Sequence, residues 1–376
     1  MSTYAGAVTS SFPDAGAGSS PPGDHAARDH AADHAESLNT LGRHEQALAV
    51  ASRALAGDPA NVELLVQAAV AHLGLGEAGK ARWLLHSAAA GDPGSARVHR
   101  ILSFVALQEG LVAEAVEAGR RAVHLAPFDA LAHAQLARAL ARGGDRTSAL
   151  AAAGRAVELS PDTADSHVAV ADVLFPDGTK PPKKDLVQAE EHLQRALQIE
   201  PDNAAALNDL ARIHLARGHG VRAAGHLASA VRADPMVEVV QHNMDVVFIS
   251  LIRRAHWILF VMWFVTRQVF RSGGGDRPRW VPLVLAVAGL GLIGWVLVRL
   301  RAQVPGHLTA FVRGFVRRER YGAVWAGCLA AVALLFVASV VAPDGVREAL
   351  LLWAWVPLFT GALLSWARFS RERRQR

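Results

Sequence analysis

The chain has 376 residues, of which 51% are hydrophobic and only 6% aromatic, and its formal net charge is +5 at pH 7. That charge is uneven, because residues 256–376 hold 16 basic and five acidic side chains, whereas the first 255 residues hold 23 basic and 29 acidic ones. The acidic first part argues against nucleic-acid binding, and arginines that flank apolar segments indicate membrane topology. A single cysteine, Cys328, excludes a disulfide framework within the chain.

The first segment of the chain is unlike the rest. Residues 1–24 are rich in Ser, Gly, Ala and Pro, and they lack the basic and apolar regions of a signal peptide. This composition predicts a disordered leader over 1–24. The preference for Arg over Lys and the abundant Ala and Gly throughout the chain indicate a bacterial origin.

A repeat with a period of 34 residues follows, over 25–237. Prolines close successive units at intervals of 34 residues, except for one interval of 40; they are Pro59, Pro93, Pro127, Pro161, Pro201 and Pro235. A glycine lies in the middle of each unit, and alanines stand twelve and five residues before each proline. Gly permits a tight turn, Ala lets two helices approach closely, and Pro ends the second helix. Six helix-turn-helix units are therefore predicted, which bury their apolar faces by stacking.

This period and its Gly, Ala, Ala, Pro pattern resemble the tetratricopeptide-repeat (TPR) family over about 28–237. The resemblance implies an all-α TPR solenoid of six repeats, in which the first helix of each repeat lines a concave groove for a protein or peptide. The family's groove positions correspond here to Val66, Val70, Leu73, Arg97, Arg100, Phe104, Gln108, Arg138, Arg142, Asn208 and Arg212. This groove has an apolar start and an Arg-rich middle, which favours a ligand with acidic residues. The alternative is that these arginines are solvated side chains on a helix face.

The last third of the chain is predicted to be a membrane domain. Residues 238–254 form an apolar stripe that suits a capping and junction helix. Residues 255–376 then contain spans at about 255–270, 280–298, 323–342 and 349–367, followed by a basic tail, which predicts a four-helix transmembrane bundle. With four spans, the Arg-rich loop 299–321 and the tail share one side with the repeats. The positive-inside rule then predicts a multi-pass protein of the cell membrane with a cytoplasmic TPR domain.

Two segments of the membrane domain predict particular contacts. The third span has small residues at Ala323, Gly327 and Ala331, which permit close packing within the bundle or self-association between chains. The loop before it has apolar residues at helical spacing and several arginines; the apolar residues are Leu308, Phe311, Val312, Phe315 and Val316. This pattern predicts an amphipathic helix that lies on an anionic leaflet.

Motifs for chemistry are scarce. The pattern G-x-G-x-x-G at Gly289–Gly294 lies inside an apolar span and has no acidic residue about twenty positions further on, so we predict no dinucleotide cofactor. We predict no metal site and no catalytic set, and therefore no enzyme. The sequence predicts a non-enzymatic membrane-anchored adaptor and scaffold for protein-protein interaction. The alternative is an accessory or regulatory subunit of a membrane complex for transport, secretion or envelope synthesis, in which the transmembrane bundle carries the function.

Overall fold

The computed structural model describes residues 22–374 apart from 177–178, 180, 234–237, 273–279, 305 and 307. Over these residues the chain forms helices and no strands. The predicted leader lies outside the described residues, except that 22–24 open the first helix. The helices are α1 (Pro22–Thr40), α2 (His44–Leu55), α3 (Val62–Gly74), α4 (Ala78–Gly91), α5 (Ala96–Gln108), α6 (Val112–Leu125), α7 (Ala130–Arg142), α8 (Arg146–Leu159), α9 (Ala164–Leu174), α10 (Lys183–Ile199), α11 (Ala204–Ala216), α12 (Gly220–Ala233), α13 (Glu238–Ser272), α14 (Trp280–Gln303), α15 (Leu308–Arg318), α16 (Arg320–Val341), α17 (Asp344–Trp353) and α18 (Trp355–Arg374).

These helices divide into two compact units. The first comprises the chain up to Ile213 together with Ser229–Glu238, and the second comprises His214–Ala228 together with Val239–Arg376. The turn between α11 and α12 therefore belongs to the second unit, whereas the sequence pattern places the whole sixth repeat in the solenoid. We describe each unit by itself.

The first unit is a stack of helix pairs, and its turns depend on glycine. The turn glycines that the structure describes have φ between +71° and +82°, a left-handed conformation that favours glycine; they are Gly42, Gly76, Gly110, Gly144 and Gly218. Gly178, the sixth predicted turn glycine, lies outside the described residues. Two residues after most of the prolines, a polar side chain caps the next helix by accepting a hydrogen bond from its first turn; these caps are Asn61, Ser95, Asp129 and Asn203.

Alanines allow the two helices of each pair to pack closely. The alanine twelve residues before each proline is fully buried in all six repeats, at Ala47, Ala81, Ala115, Ala149, Ala189 and Ala223. The alanine five residues before the proline is buried in every repeat but the first, where Ala54 is half-buried. Larger apolar side chains, such as Leu85, Ile101 and Leu193, fill the space between successive pairs. The predicted stacking of helix pairs around small residues is confirmed.

The turn glycines and the helix glycines should respond oppositely to alanine. Gly144 has φ of +82°, and a Cβ added there would meet no atom within 4 Å, so Gly144→Ala adds only backbone strain and should cost about 1 kcal/mol. Gly154 lies within α8 and also has open space, so Gly154→Ala should stabilise by about 1 kcal/mol. Urea unfolding of the full chain, followed by helical circular dichroism, measures both. Effects of the same sign would contradict the turn geometry.

The second unit contains three helical segments that are long and apolar enough to span a membrane, among the residues that the structure describes. They are Val240–Val269 in α13, Leu283–Gln303 in α14 and Arg320–Ser339 in α16. The first includes most of the predicted junction helix 238–254, because α13 is one helix of 35 residues. The first segment covers all but the last residue of the predicted span 255–270, and the second covers most of 280–298. The third segment covers most of 323–342.

The fourth predicted span is wrong. Residues 349–367 are not one helix, because α17 ends at Trp353 and α18 begins at Trp355. The shorter apolar helix identified in α18, Trp355–Leu364, is only ten residues long. Pro357 supplies the physical reason: it has no N–H to bond the carbonyl of Trp353, and its ring disfavours helix in the preceding turn. Proline is tolerated in the first turn of a helix, which is where α18 places it.

Candidate interaction site on the first helices

The first helices of successive repeats pack beside one another, and the predicted groove residues lie on them. Within the first unit, α1 contacts α3, α5 contacts α7, and α7 contacts α9. We use the name first-helix face for the surface that carries the predicted positions on α3, α5, α7 and α11. Its members differ in accessibility, and most of the charged ones are paired.

The apolar start of the predicted groove is not an open surface. Val66 and Val70 are each only 1% exposed and belong to the core around Ile101, so they cannot contact a ligand without rearrangement of the stack. Phe104 and Asn208 are also buried. The physical reason is that α3 packs between α1, α2 and α4, which enclose its apolar positions. Leu73 and Gln108 are half-buried.

The arginines of the face pair with carboxylates of neighbouring repeats. Arg97 on α5 donates to Glu63 on α3, with 2.5 Å between Nη1 and Oε2, and its Nη2 lies 3.7 Å from Glu36 Oε1 on α1. Arg138 on α7 reaches two aspartates of α9: its Nη2 lies 2.6 Å from Asp165 Oδ1, and its Nε lies 2.8 Å from Asp172 Oδ2. The contacts with Glu63, Asp165 and Asp172 join consecutive repeats, and the contact with Glu36 joins the third repeat to the first.

Arg212, in the sixth repeat, pairs with a carboxylate of its own helix. Its Nη1 donates to Asp209 Oδ1 over 2.9 Å, and its Nη2 donates to the carbonyl of Phe175 over 3.3 Å. The guanidinium carbon also lies 4.7 Å from the centroid of the Phe175 ring, a cation–π contact. Arg212 thereby ties α11 to the end of α9.

The remaining two arginines differ from each other. Arg100 is buried, and its Nε lies 3.9 Å from Asp129 Oδ2, too far for a hydrogen bond. Burial lowers the pKa of the Arg100 guanidinium, while Asp129 and Asp165 oppose that effect. Arg142, at the end of α7, is exposed. Of the predicted arginines, Arg142 stands at the edge of the face, where a partner can reach it.

Sequence reasoning missed the carboxylates, although the repeat period contains a signal for them. Glu63 and Arg97 stand 34 residues apart, as do Arg138 and Asp172, so each pair occupies one position in consecutive repeats. Equivalent positions on adjacent first helices lie side by side in a stack. A comparison of the repeats position by position would have shown opposite charges at these positions. The Arg-rich middle is thus largely neutralised by its neighbours.

Asp172 lies at the centre of this charged cluster. Its pKa is raised to about 7, mainly by burial and also by the nearby Asp209, while Arg138 and Arg212 oppose the increase. A carboxyl group whose pKa is higher in the folded than in the unfolded chain binds its proton more tightly when folded. Its contribution to stability is therefore largest at low pH and decreases as pH rises from about 4 to about 7.

We expect this pH dependence to be measurable. Between about pH 4 and pH 7 the free energy of unfolding of the repeats should fall by at most about 1.4 kcal/mol per pH unit because of Asp172. Asp172→Asn cannot titrate and should flatten the dependence, whereas Asp162→Asn, at an exposed carboxylate, should leave it unchanged. Urea unfolding of the full chain at several pH values tests this. Equal pH dependence in all three proteins would contradict it.

Comparison with known proteins agrees with this architecture. A tetratricopeptide-repeat model matches residues 38–103 and 183–241, and a second tetratricopeptide-repeat model matches residues 135–180. The class of protein defined by the fold is a helical repeat solenoid. More particularly, the residues that these models match are similar to tetratricopeptide repeats. No curated protein matches the sequence.

Several solved structures are similar to this chain. A tetratricopeptide repeat protein from Parabacteroides merdae is 17% identical, with 58% of this chain and 84% of that chain covered and a TM-score of 0.50. PilF of Pseudomonas aeruginosa is 20% identical, with coverage of 58% and 97% and a TM-score of 0.43. PilW, described as a type IV pilus biogenesis factor, is 20% identical, with coverage of 57% and 97% and a TM-score of 0.44. At these identities the likeness concerns the fold.

Proposed function

We propose that this chain is a non-enzymatic adaptor that binds a protein or peptide along the first-helix face and is anchored in the cell membrane by α13, α14 and α16. The observation that carries the proposal is a stack of TPR repeats in the same chain as three helices apolar enough to span a membrane. The TPR fold is typical of protein-protein interaction. The membrane helices would hold the bound partner at the bilayer.

The pairing of the arginines changes the expected chemistry of the partner. A polyacidic ligand would compete with Glu63, Asp165 and Asp172, which already occupy Arg97 and Arg138. Exchanging one ion pair for another brings little net electrostatic gain. We therefore propose a partner of mixed charge that contacts accessible positions such as Gln108 and Arg142, which stand one repeat apart.

Charge distribution supports a cytoplasmic location for the repeats. If the first of the three crossings begins at residue 255, as the sequence pattern predicts, the loop 299–320 returns to the side of the repeats, and together with Arg253 and Arg254 it supplies eight arginines there. The other side has five within about twenty residues of a span end, at Arg267, Arg271, Arg277, Arg279 and Arg347. The five arginines of the basic tail also lie on that other side but further from the last span, so it is the excess near the span ends that favours the cytoplasm for the repeat side.

Cysteine labelling tests this orientation. In a Cys328→Ser background, a membrane-impermeant maleimide applied outside intact cells should label Val346→Cys, in α17, and should not label Thr309→Cys, in α15. Both positions are exposed. Labelling of Thr309→Cys alone would show the opposite orientation, with the repeats outside the cytoplasm.

Site-specific photo-crosslinking tests the proposed binding face. A benzophenone amino acid replaces Gln108 or Arg142 in the full chain, and the control carries it at Glu117, which is exposed on the second helix α6. We expect one distinct adduct from both first-helix positions and none from Glu117. Equal adducts from all three positions would place binding elsewhere on the repeats. Absence of any adduct would favour a function carried by the membrane helices.

A further inference from the structure

The helix α15 joins two of the membrane-spanning candidates. Four residues separate the end of α14, at Gln303, from Leu308, and one residue, Glu319, separates Arg318 from α16. The backbone N–H of Glu319 bonds the carbonyl of Phe315 over 2.7 Å, so the link to α16 is tight. If α14 and α16 cross a bilayer, connections this short hold α15 at its surface.

One face of α15 is committed to the protein. Phe311 and Phe315, one turn apart, are buried, and the Phe315 ring centroid lies 5.3 Å from that of Phe248 on α13. Arg318 donates two hydrogen bonds to Asp245, with distances of 2.8 and 2.9 Å to the two carboxylate oxygens. It also donates to Gln241 over 3.2 Å. These contacts fix the rotation of α15 about its axis.

The sequence pattern assigned all the apolar residues of α15 to the lipid, and the structure corrects this for the phenylalanines. A second apolar strip remains beside them: Val312 is 43% exposed and Val316 is 50% exposed. At 3.6 residues per turn, Arg313 and Arg317 lie on the next sector around the helix, and both are exposed. Neither arginine forms an ion pair with any described residue of the chain.

Around α15, the buried phenylalanines are followed by the exposed valines and then by the arginines, and a bilayer surface requires apolar and basic side chains side by side in this way. The valines can enter the acyl boundary while the guanidinium groups meet phosphate oxygens beside them. The protein-facing contacts hold that order in place, so little rotational freedom is lost on binding. The apolar strip alone would suit any apolar partner, but its place between two spans and the arginines beside it select an anionic leaflet.

We propose that α15 is a fixed docking surface for anionic phospholipid headgroups, in which Arg313 and Arg317 bind phosphate and Val312 and Val316 enter the bilayer. The proposal rests on the membrane insertion of α14 and α16. It adds a lipid specificity that insertion by itself does not require.

The test uses the full chain in nanodiscs of phosphatidylcholine with and without phosphatidylglycerol. An environment-sensitive fluorophore is attached at Val316→Cys in a Cys328→Ser background. We expect its emission to move to shorter wavelength when phosphatidylglycerol is present. Arg313→Gln with Arg317→Gln should abolish that shift, while Arg120→Gln with Arg121→Gln, two exposed arginines of α6, should retain it.

The outcomes separate the two proposals. A chain that does not enter nanodiscs of either lipid contradicts the membrane anchor itself. A chain that enters both and shows the same emission in both overturns the lipid proposal and leaves the anchor intact. A shift that survives loss of Arg313 and Arg317 also overturns it. Sodium phosphate added to detergent-solubilised protein shows whether the free anion reproduces the shift; if it does, binding to the membrane surface is contradicted.

Discussion

Arg138→Ala should destabilise the middle of the TPR stack by about 3 kcal/mol, because it removes buried ion pairs with two carboxylates of α9. The Arg138 side chain is only 11% exposed, and it bonds both Asp165 and Asp172 at hydrogen-bond distance. Hydrogen exchange of the amides in α7 and α9, measured in the full chain, reports the loss locally. We expect protection in both helices to fall together.

Two further variants make that prediction specific. Arg155→Ala removes an exposed arginine that pairs with Glu158 on the same helix, and it should change stability by no more than about 0.5 kcal/mol. Adding Asp172→Asn to Arg138→Ala should recover part of the loss, because a neutral amide needs no buried cation. If Arg138→Ala costs no more than Arg155→Ala, the ion pairs do not hold the repeats together.

Gly361→Ala should destabilise the second unit by about 1–3 kcal/mol through overpacking. A Cβ at position 361 would lie 2.6 and 2.7 Å from two atoms of the Trp325 indole. The indole is buried, and its Nε1 donates to Nδ1 of His256 over 3.3 Å. Displacing this rigid ring would disturb the contact of α18 with α16 and the bond from α16 to α13.

A glycine in open space provides the matched control. Gly291 on α14 has no atom within 4 Å of an added Cβ, so Gly291→Ala should be tolerated. The fraction of detergent-solubilised protein that remains monodisperse after heating measures both changes. We expect a lower midpoint temperature for Gly361→Ala alone. Equal midpoints for the two variants would contradict the packing of α18 against Trp325.

The sequence predicts the repeats well because their signals are local. Proline and glycine restrict the backbone directly, and the buried alanines recur at fixed distances from each proline. The prediction of a fourth span was wrong for a related local reason. The apolar stretch 349–367 is long enough to cross a bilayer, but Pro357 interrupts its helix. A prediction that gave weight to proline inside apolar segments would have divided 349–367 into two helices.

The candidate site could be predicted only in part, because its properties depend on neighbours distant in sequence. Periodicity locates Arg97 and Arg138 on the first helices, but their ion pairs join residues 27 or 34 positions apart. Burial of Val66 likewise depends on how repeats stack. In the second unit, sequence reasoning missed His256 as a buried polar group because its partner, Trp325, lies on another helix.

The most direct measurement of the adaptor function is the location of a crosslinked partner. Membranes from cells that express the full chain with a benzophenone at Gln108 are irradiated, washed with alkaline carbonate and sedimented. We predict that the adduct stays in the membrane pellet and is absent when the benzophenone stands at Glu117. An adduct that leaves with the wash, or that forms equally from both positions, would contradict a membrane-anchored adaptor that binds through its first helices.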